Sequence, residues 1–325
     1  MLLNHAQPHA RASLAIMVQI ARLYHEQGMS QPAIAQRLHI SQSRVSRLLR
    51  AAVEQGIVRT VVATPDGVYP ELEETIRAAY GLTSVLLVDC ADNERSIYSA
   101  LGGAAAAYLE TSLTGKDIIG LSSWSSTLLS SVESMMPLKK KRADKVVQIL
   151  GGLGESEAQL QSSRLTEQLA LMTGAKAVYM PTPGLVSSRD LQRGLMQDPV
   201  VAETASEWQR LTVLLTGIGS LDPSPLLARS GNSLGQADID LLKAHGAVGD
   251  IAMRFFAEDG RLIESDLYDR VLGIGVKEML SIPRRVGVAG GRGKFEAIRA
   301  AVRGGWIDVL VTDIFTGRRL ALAEG

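Results

Sequence analysis

Along the first sixty residues the apolar positions recur at helical spacing; after residue 84 they come in short runs. The first pattern predicts a helix over Arg11–Gln27, with Leu14, Met17, Val18, Ala21, Leu23 and Tyr24 supplying apolar contacts. Gly28 follows, where a left-handed residue is expected to close a helix. Ser30 is placed to cap a short second helix, with Pro32 near its start, where a missing N–H is harmless. Ile34, Ala35 and Leu38 form the apolar face of that helix. His39-Ile40-Ser41 reads as the turn, with Ile40 pointing inward and Ser41 capping a third helix over Gln42–Gln55. Val45, Leu48, Leu49 and Ala52 form its buried stripe. After Gly56 the β-branched run Ile57–Ala63 predicts a strand beside the helices, a wing. Two short helices across a sharp turn, the second with a polar tip, form a helix-turn-helix.

Thr64–Pro70 is turn-rich and reads as a linker, and Glu71–Tyr80 as a helix. Beyond it the short apolar runs predict buried strands at Val85–Val88, Asp117–Leu121, Val146–Leu150, Ala177–Met180, Leu211–Gly217, Arg285–Ala289 and Val309–Thr312. Helical segments alternate with them: Glu94–Leu113, Ser126–Met135, Gln159–Met172, Val200–Arg210, Gln236–Ala244 and Lys294–Arg303. Such alternation predicts an α/β fold with a mostly parallel sheet and helices on both faces. The expected organisation is a winged helix-turn-helix over residues 1–63, a linker over 64–70 and a larger α/β effector-binding and oligomerisation domain over 71–325.

The totals sharpen this picture. At 325 residues the chain is long enough for two domains, and 46% apolar residues suffice for a large core. Only 4% are aromatic, so the core must be mostly aliphatic. The net charge is zero, but residues 1–60 carry seven Arg, no Lys and two acids, so the head is +5 and the remainder −5. A basic head on an acidic body suits a protein whose head meets phosphate and whose body avoids it. Cys90 is the single cysteine, which excludes an intrachain disulfide and speaks against a cysteine metal site. It reads as a small buried residue at a strand end. With no membrane-length apolar run and no signal-peptide pattern at the start, a cytoplasmic protein is expected. The run Lys139–Arg142 reads as a solvated loop before a strand.

The third helix carries the first candidate chemistry. Gln42, Ser43, Arg44, Ser46 and Arg47 lie on or near its exposed N-terminal face, and these residue types read base edges and phosphates. Arg50 and Arg37 are placed for the DNA backbone. In the body, four predicted strand ends carry small or polar residues. Gly120–Thr127 offers four Ser and one Thr at a strand-to-helix turn, suited to phosphate or sugar hydroxyls, or simply to capping the helix. Gln148–Gly154 has glycines that let backbone approach a ligand. Gly246–Ile251 contains Asp250, which either accepts hydrogen bonds from hydroxyls or caps a helix. Val286–Lys294 ends a strand in glycines with Lys294 at the start of a helix, suited to an anionic or hydroxylated ligand, or else a flexible turn. An enzyme reading finds little support. Four of the five His lie in residues 5–39, and there is no nucleophile elbow, Walker A or His-Glu zinc motif. Asp250 and Lys294 as acid and base on a sugar remain the alternative, a sugar-phosphate isomerase-like enzyme with a DNA-binding appendage.

From Ala21 to Leu320 the chain resembles the SorC family of bacterial sugar-binding transcriptional regulators. The resemblance rests on the Gly28–Val58 stretch and on L-L-A-R-S-G-N (226–232), G-A-V-G-D-I (246–251), R-F-F-A-E-D-G (254–260), V-A-G-G-R-G-K (288–294) and A-I-R-A-A-V-R-G-G-W-I-D-V-L-V-T-D (297–313). It implies a phosphosugar isomerase-like effector domain that binds a sugar, sugar phosphate or polyol and assembles as a tetramer or dimer, with operator DNA as partner and no cofactor. By motif it places the effector at Ser122, Ser123, Ser125, Ser126, Thr127, Gln161, Asp250 and Lys294. Two positions depart from the family pattern. The first turn is Ser-Ser-Trp-Ser-Ser-Thr rather than Gly-Trp-Gly-Arg-Thr, and Gln161 stands where many members have His. Loss of the Arg weakens the case for a phosphate there, and a small polyol such as erythritol or sorbitol fits. The expected function is repression of a sugar or polyol catabolic operon, relieved by the effector.

Overall fold

The computed structural model describes residues 8–59, 65–122, 124–138, 140–222, 225–228 and 233–323. The chain divides into two compact units, residues 1–64 and 65–325.

The first unit holds α1 (Pro8–His25), α2 (Gln31–Leu38) and α3 (Gln42–Glu54). Ser30 accepts a hydrogen bond from the Ala33 N–H at 3.4 Å, and Ser41 from the Arg44 N–H at 3.3 Å, so both predicted caps form. Gly28 takes φ +63°, and His39 closes α2 in the same left-handed region at φ 54°. Ile20, Leu23, Ile34, Ala35, Val45 and Leu49 make the small core, with Leu38 and Ile40 packed against it. Two expectations need correction. In α1 the inner face runs through Met17, Ile20, Ala21 and Leu23; Leu14, Val18 and Tyr24 are exposed, since the second and third helices cover one side only. Of the strand predicted over Ile57–Ala63, residues 57–59 form none. The N–H groups of Ile57 and Val58 both bond back to the Ala52 carbonyl, at 2.9 and 3.1 Å, and tie the chain to the end of α3. Residues 60–64 lie outside the described residues.

The second unit opens with α4 (Pro70–Tyr80) and continues β1 (Ser84–Val88), α5 (Glu94–Ser112), β2 (Asp117–Leu121), α6 (Ser126–Glu133), β3 (Ala143–Gln148), α7 (Ser156–Thr173) and β4 (Lys176–Val178). Then come α8 (Arg189–Gln197), α9 (Pro199–Ser206), β5 (Val213–Gly217), β6 (Gly219–Ser220), α10 (Pro225–Ala228), α11 (Gln236–Ala244), β7 (Ala247–Ile251) and β8 (Arg254–Ala257). The chain ends with α12 (Val276–Ser281), β9 (Arg284–Val288), α13 (Phe295–Arg303), β10 (Val309–Asp313) and α14 (Ile314–Leu322). The seven runs read as strands are the seven strands of one parallel sheet, ordered β1-β10-β9-β5-β2-β3-β4.

Both faces of that sheet are covered, which is why its strands read as unbroken apolar runs. Alternate residues serve opposite cores. Ile119, Leu215, Val286 and Val311 pack with apolar residues of α5, α6 and α7. Ile118, Leu214 and Leu310 pack with those of α4, α13 and α14. A second sheet, β6-β7-β8, is antiparallel and was not foreseen. Its β7–β8 hairpin turns on Ala252 and Met253 at φ 50° and 61°, left-handed values that side chains other than Gly and Asn rarely take. The segment read as a linker runs into the first turn of α4, and Tyr69 packs against the core of this unit.

Candidate functional site

In the first unit the candidate surface is the N-terminal half of α3. Its buried stripe is Val45, Leu49 and Ala52. Turning that stripe inward leaves Gln42, Ser43, Arg44, Arg47 and Arg50 exposed, with Ser46 half-buried beside them. Ser41 Oγ lies 3.1 Å from Ser43 Oγ, so the cap also steadies the first turn. Arg37 is exposed on α2 and donates to Met29 Sδ at 3.5 Å. Among the described residues of this unit the ion pair is Arg22–Glu26, on α1, so Arg44, Arg47 and Arg50 remain open to an anionic partner. All seven residues predicted to meet DNA therefore share one small unit, six of them on α3.

In the second unit a cavity of about 730 Å³ opens at the carboxyl ends of the parallel strands, where ligands bind in open α/β sheets. Of the predicted positions, Ser122, Ser125, Ser126, Thr127, Asp250 and Lys294 line it. Ser123 lies outside the described residues. Gln161 does not line the cavity; it lies half-buried on α7, which packs along β3 and β4. The glycine stretch after β3 is also structural for the most part. Gly151 is so close to the Pro183 carbonyl that no Cβ would fit, and only Leu150 reaches the cavity. Gln148 is buried instead as a tie. Its amide nitrogen donates to Thr166 Oγ1 at 3.0 Å, and its amide oxygen accepts from the Met180 N–H at 2.9 Å.

Each lining group is held by a local device. The Ser122 N–H donates to the Leu215 carbonyl at 3.3 Å, extending the β2–β5 ladder to the cavity edge. Trp124 Nε1 donates to the Gly151 carbonyl at 3.1 Å and seats the indole in the wall. Ser125 caps α6 by accepting from the Leu128 N–H at 3.3 Å. Asp250 lies in β7 opposite Gly219, where a Cβ would collide with its carboxylate. The Met253 N–H donates to Asp250 Oδ2 at 2.9 Å, which links the carboxylate to the left-handed turn. Lys294 ends a short 3₁₀ turn after Gly291, with its N–H on the Gly291 carbonyl at 3.0 Å.

Asp313 was not singled out from the sequence, yet it holds this loop. Its Oδ2 accepts from the Gly291 N–H at 2.8 Å and from Thr316 Oγ1 at 2.8 Å, while Oδ1 accepts from the Thr316 N–H at 2.9 Å. One buried carboxylate thus caps α14 and fixes the turn that carries Lys294. The Asp-x-x-Thr spacing after an apolar strand was the available signal.

Electrostatics single out two groups in the cavity. Burial raises the Asp250 pKa to about 6, against the Met253 N–H and the Lys294 cation, which pull it down. Burial lowers the Lys294 pKa, against Asp250 and Glu94, which raise it. A carboxylate and an ammonium poised in one cavity can accept from and donate to hydroxyls, and can also exchange protons. Among the described residues no cluster of His, Cys, Asp and Glu suits a metal ion, and no helix is long and apolar enough to cross a membrane.

Comparison with known proteins adds independent findings. Residues 69–320 match the family model described as "Putative sugar-binding domain", and residues 13–60 a homeodomain-like helix-turn-helix model. The chain is 30% identical to the deoxyribonucleoside regulator of Bacillus subtilis, over 95% of this chain and 98% of that protein. It is also 30% identical to the sorbitol operon regulator of Klebsiella pneumoniae, over 94% and 98%. The crystal structure of that full-length regulator, SorC, superposes with a TM-score of 0.72 over 95% of this chain and 98% of its own.

Proposed function

Because the chain belongs to the SorC family of sugar-binding transcriptional regulators, we propose that it represses a sugar or polyol catabolic operon and is released by a sugar, sugar phosphate or polyol. The observation that carries this reading is a polar strand-end cavity containing Asp250 and Lys294, in a chain that also presents an unpaired arginine helix. Gln42, Ser43, Arg44, Ser46 and Arg47 read the operator, with Arg50 and Arg37 on phosphates. Ser122, Ser125, Ser126, Thr127, Asp250 and Lys294 bind the effector; Ser123 lies outside the described residues, and Gln161 has no support from the cavity. A helix-turn-helix unit contacts one half-site, so the protein acts as a dimer or tetramer, and the effector alters the spacing between paired heads. A mobility-shift titration tests the reading, using the full-length protein, its own upstream DNA and a series of sugars and polyols. Retarded DNA released by one member of the series is expected; absence of DNA binding at low salt would sink it.

The shifted Asp250–Lys294 pair supports one second reading, acid–base catalysis on a sugar. Turnover of an aldose or ketose phosphate that Lys294→Ala abolishes would favour it. No turnover is expected.

A further inference from the structure

β1 and β9 flank β10 in the parallel sheet, so the loops that leave their carboxyl ends face each other across it. The loop from β9 to α13 brings Arg292 and Lys294 to the cavity, and the loop from β1 to α5, residues 89–93, brings Asp92 and Asn93. An ion pair between Arg292 and Asp92 joins the two loops. Arg292 is largely exposed, and an exposed pair is held weakly, so a ligand that competes for either partner can open it. The same β1–α5 loop also meets the segment that leads back to the DNA-binding unit. Gly67 turns at φ 80° beside Asp89, whose Oδ2 lies 3.8 Å from where a Cβ would stand. Tyr69, the residue before α4, faces the same carboxylate. Burial and then Asp89, by its charge and a hydrogen bond, raise the Tyr69 pKa, so the phenol stays protonated and donates to Asp89. Between these two contacts the loop is stiff. The Ala91 N–H donates to Ser96 Oγ at 3.0 Å, the Asn93 N–H to the Ala91 carbonyl at 2.8 Å, and the Ser96 N–H to Asn93 Oδ1 at 3.0 Å. Asp89 and Asp92 are three residues apart, at most about 11 Å of chain.

Resting on the regulator reading above, we propose that the β1–α5 loop relays the state of the cavity mouth to the segment joining the two units, with the Arg292–Asp92 pair as its latch and the Asp89–Tyr69 contact as its anchor. With the latch closed, the loop holds Asp89 where Gly67 and Tyr69 meet it. A ligand that engages Arg292 or Asp92 opens the latch, and the stiff loop passes the shift to Asp89. Residues 65–69 then lose their seat on the body, and the tether of the DNA-binding unit slackens. The two states differ in one ion pair and one hydrogen bond, and occupancy of the cavity biases the balance between them.

Cys90, the single cysteine of the chain, lies in this loop between latch and anchor and is half-buried, so its reactivity reports on the loop directly. The test follows its modification by dithionitrobenzoate, an anionic disulfide, in the full-length protein. Tyr69→Phe removes a hydroxyl and no charge. Arg292→Gln removes a positive charge, which by itself disfavours the thiolate and slows its reaction. Both variants are nevertheless expected to speed modification at least about threefold, because each frees one end of the loop. Arg292→Lys keeps a cation opposite Asp92 and is expected to restore most of the parent's rate. An unchanged or slower rate in either Tyr69→Phe or Arg292→Gln overturns the proposal, as does an Arg292→Lys that matches Arg292→Gln. Mobility shifts with the protein's own upstream DNA supply the second readout. Tyr69→Phe and Arg292→Gln are each expected to weaken DNA binding at least about fivefold, and the double variant no further than the more affected single, since both cut one connection. Additive losses would mark two separate structural effects and refute the relay. A parent that binds DNA, with both variants unchanged, refutes the relay and leaves the regulator standing. A parent that does not bind DNA, with Cys90 accelerated in both variants, refutes the regulator and leaves the loop linkage standing.

Discussion

Asp250 illustrates how one position can set a pH response. Its carboxyl titrates near 3.9 in an unfolded chain and at about 6 in the folded one. The native state therefore binds the proton more tightly. This group's contribution to stability is fully present below about pH 4 and is lost as pH rises through about 6. Asp250→Asn removes that dependence. The stability of the variant relative to the parent is expected to rise between pH 4 and 7 by on the order of 2–3 kcal/mol, measured as Tm in scanning calorimetry. A difference constant with pH would contradict the assignment. Lys294 has the opposite sign, since its lowered pKa adds stability as pH climbs toward the ordinary lysine range. On α3, Arg44→Ala and Arg47→Ala should each weaken operator binding by at least about 1 kcal/mol and leave effector affinity unchanged. Unaltered operator affinity in both variants would displace these residues from the interface.

The elements stand on short polar devices as much as on apolar burial. Ser41→Ala removes the N-cap of α3 and should cost about 1 kcal/mol, seen as faster amide exchange over the first turn of that helix. Slow exchange equal to the parent would mean that packing of Val45 and Leu49 alone holds the helix start. Asp313 works across two elements, because it caps α14 and grips the turn before Lys294. Asp313→Ala should therefore weaken effector binding, whereas Thr316→Val, which removes only the hydroxyl contact, should largely spare it. Equal losses in both would reduce Asp313 to a helix cap. The hairpin at Ala252-Met253 is strained by on the order of 1–2 kcal/mol per left-handed residue, and it places Asp250 at the cavity. Strain of this kind is commonly retained beside a binding site.

Over the whole molecule the dominant feature is charge polarity. Residues 1–60 carry +5 and the remainder −5, although the pI is near 7. Operator binding should consequently weaken steeply with salt, and loss of a phosphate-contacting Arg50 should lower the slope of log K against log salt by about 1. A salt-independent affinity would exclude the proposed interface. A palindromic site with half-sites roughly 34 Å apart should bind far more tightly than one half-site, with sedimentation showing a dimer or tetramer under the same conditions. Equal affinity for half and full sites would exclude the paired-head reading.

The sequence alone determined the two-unit plan, the caps of α2 and α3, and all seven strands of the parallel sheet. These follow from local periodicity: a helix buries one stripe, and a strand covered on both faces must be apolar throughout. That Ser122, Ser125, Ser126, Thr127 and Lys294 lie beside strand ends was legible for a similar reason, since polar or small residues closing an apolar run mark such an end; Asp250 lies within β7 of the second sheet. The tertiary structure alone decided the rest. Ala252 and Met253 carry no turn signature; their left-handed backbone is held where Met253 meets Asp250. The helices α8, α10, α12 and α14 were not read from the sequence; of these, α10 and α12 are only four and six residues long. The spacing of Leu14, Val18 and Tyr24 did not show that the two neighbouring helices reach only one side of α1. Gln161 fell away from the cavity because α7 packs along β3 and β4 at one end of the sheet, and strand order is a property of distant segments and not of its own residues. The pairing that defines the cavity chemistry, Arg292 with Asp92 and Lys294 facing Asp250 and Glu94, joins residues far apart in the chain. Only the packed sheet brings them together.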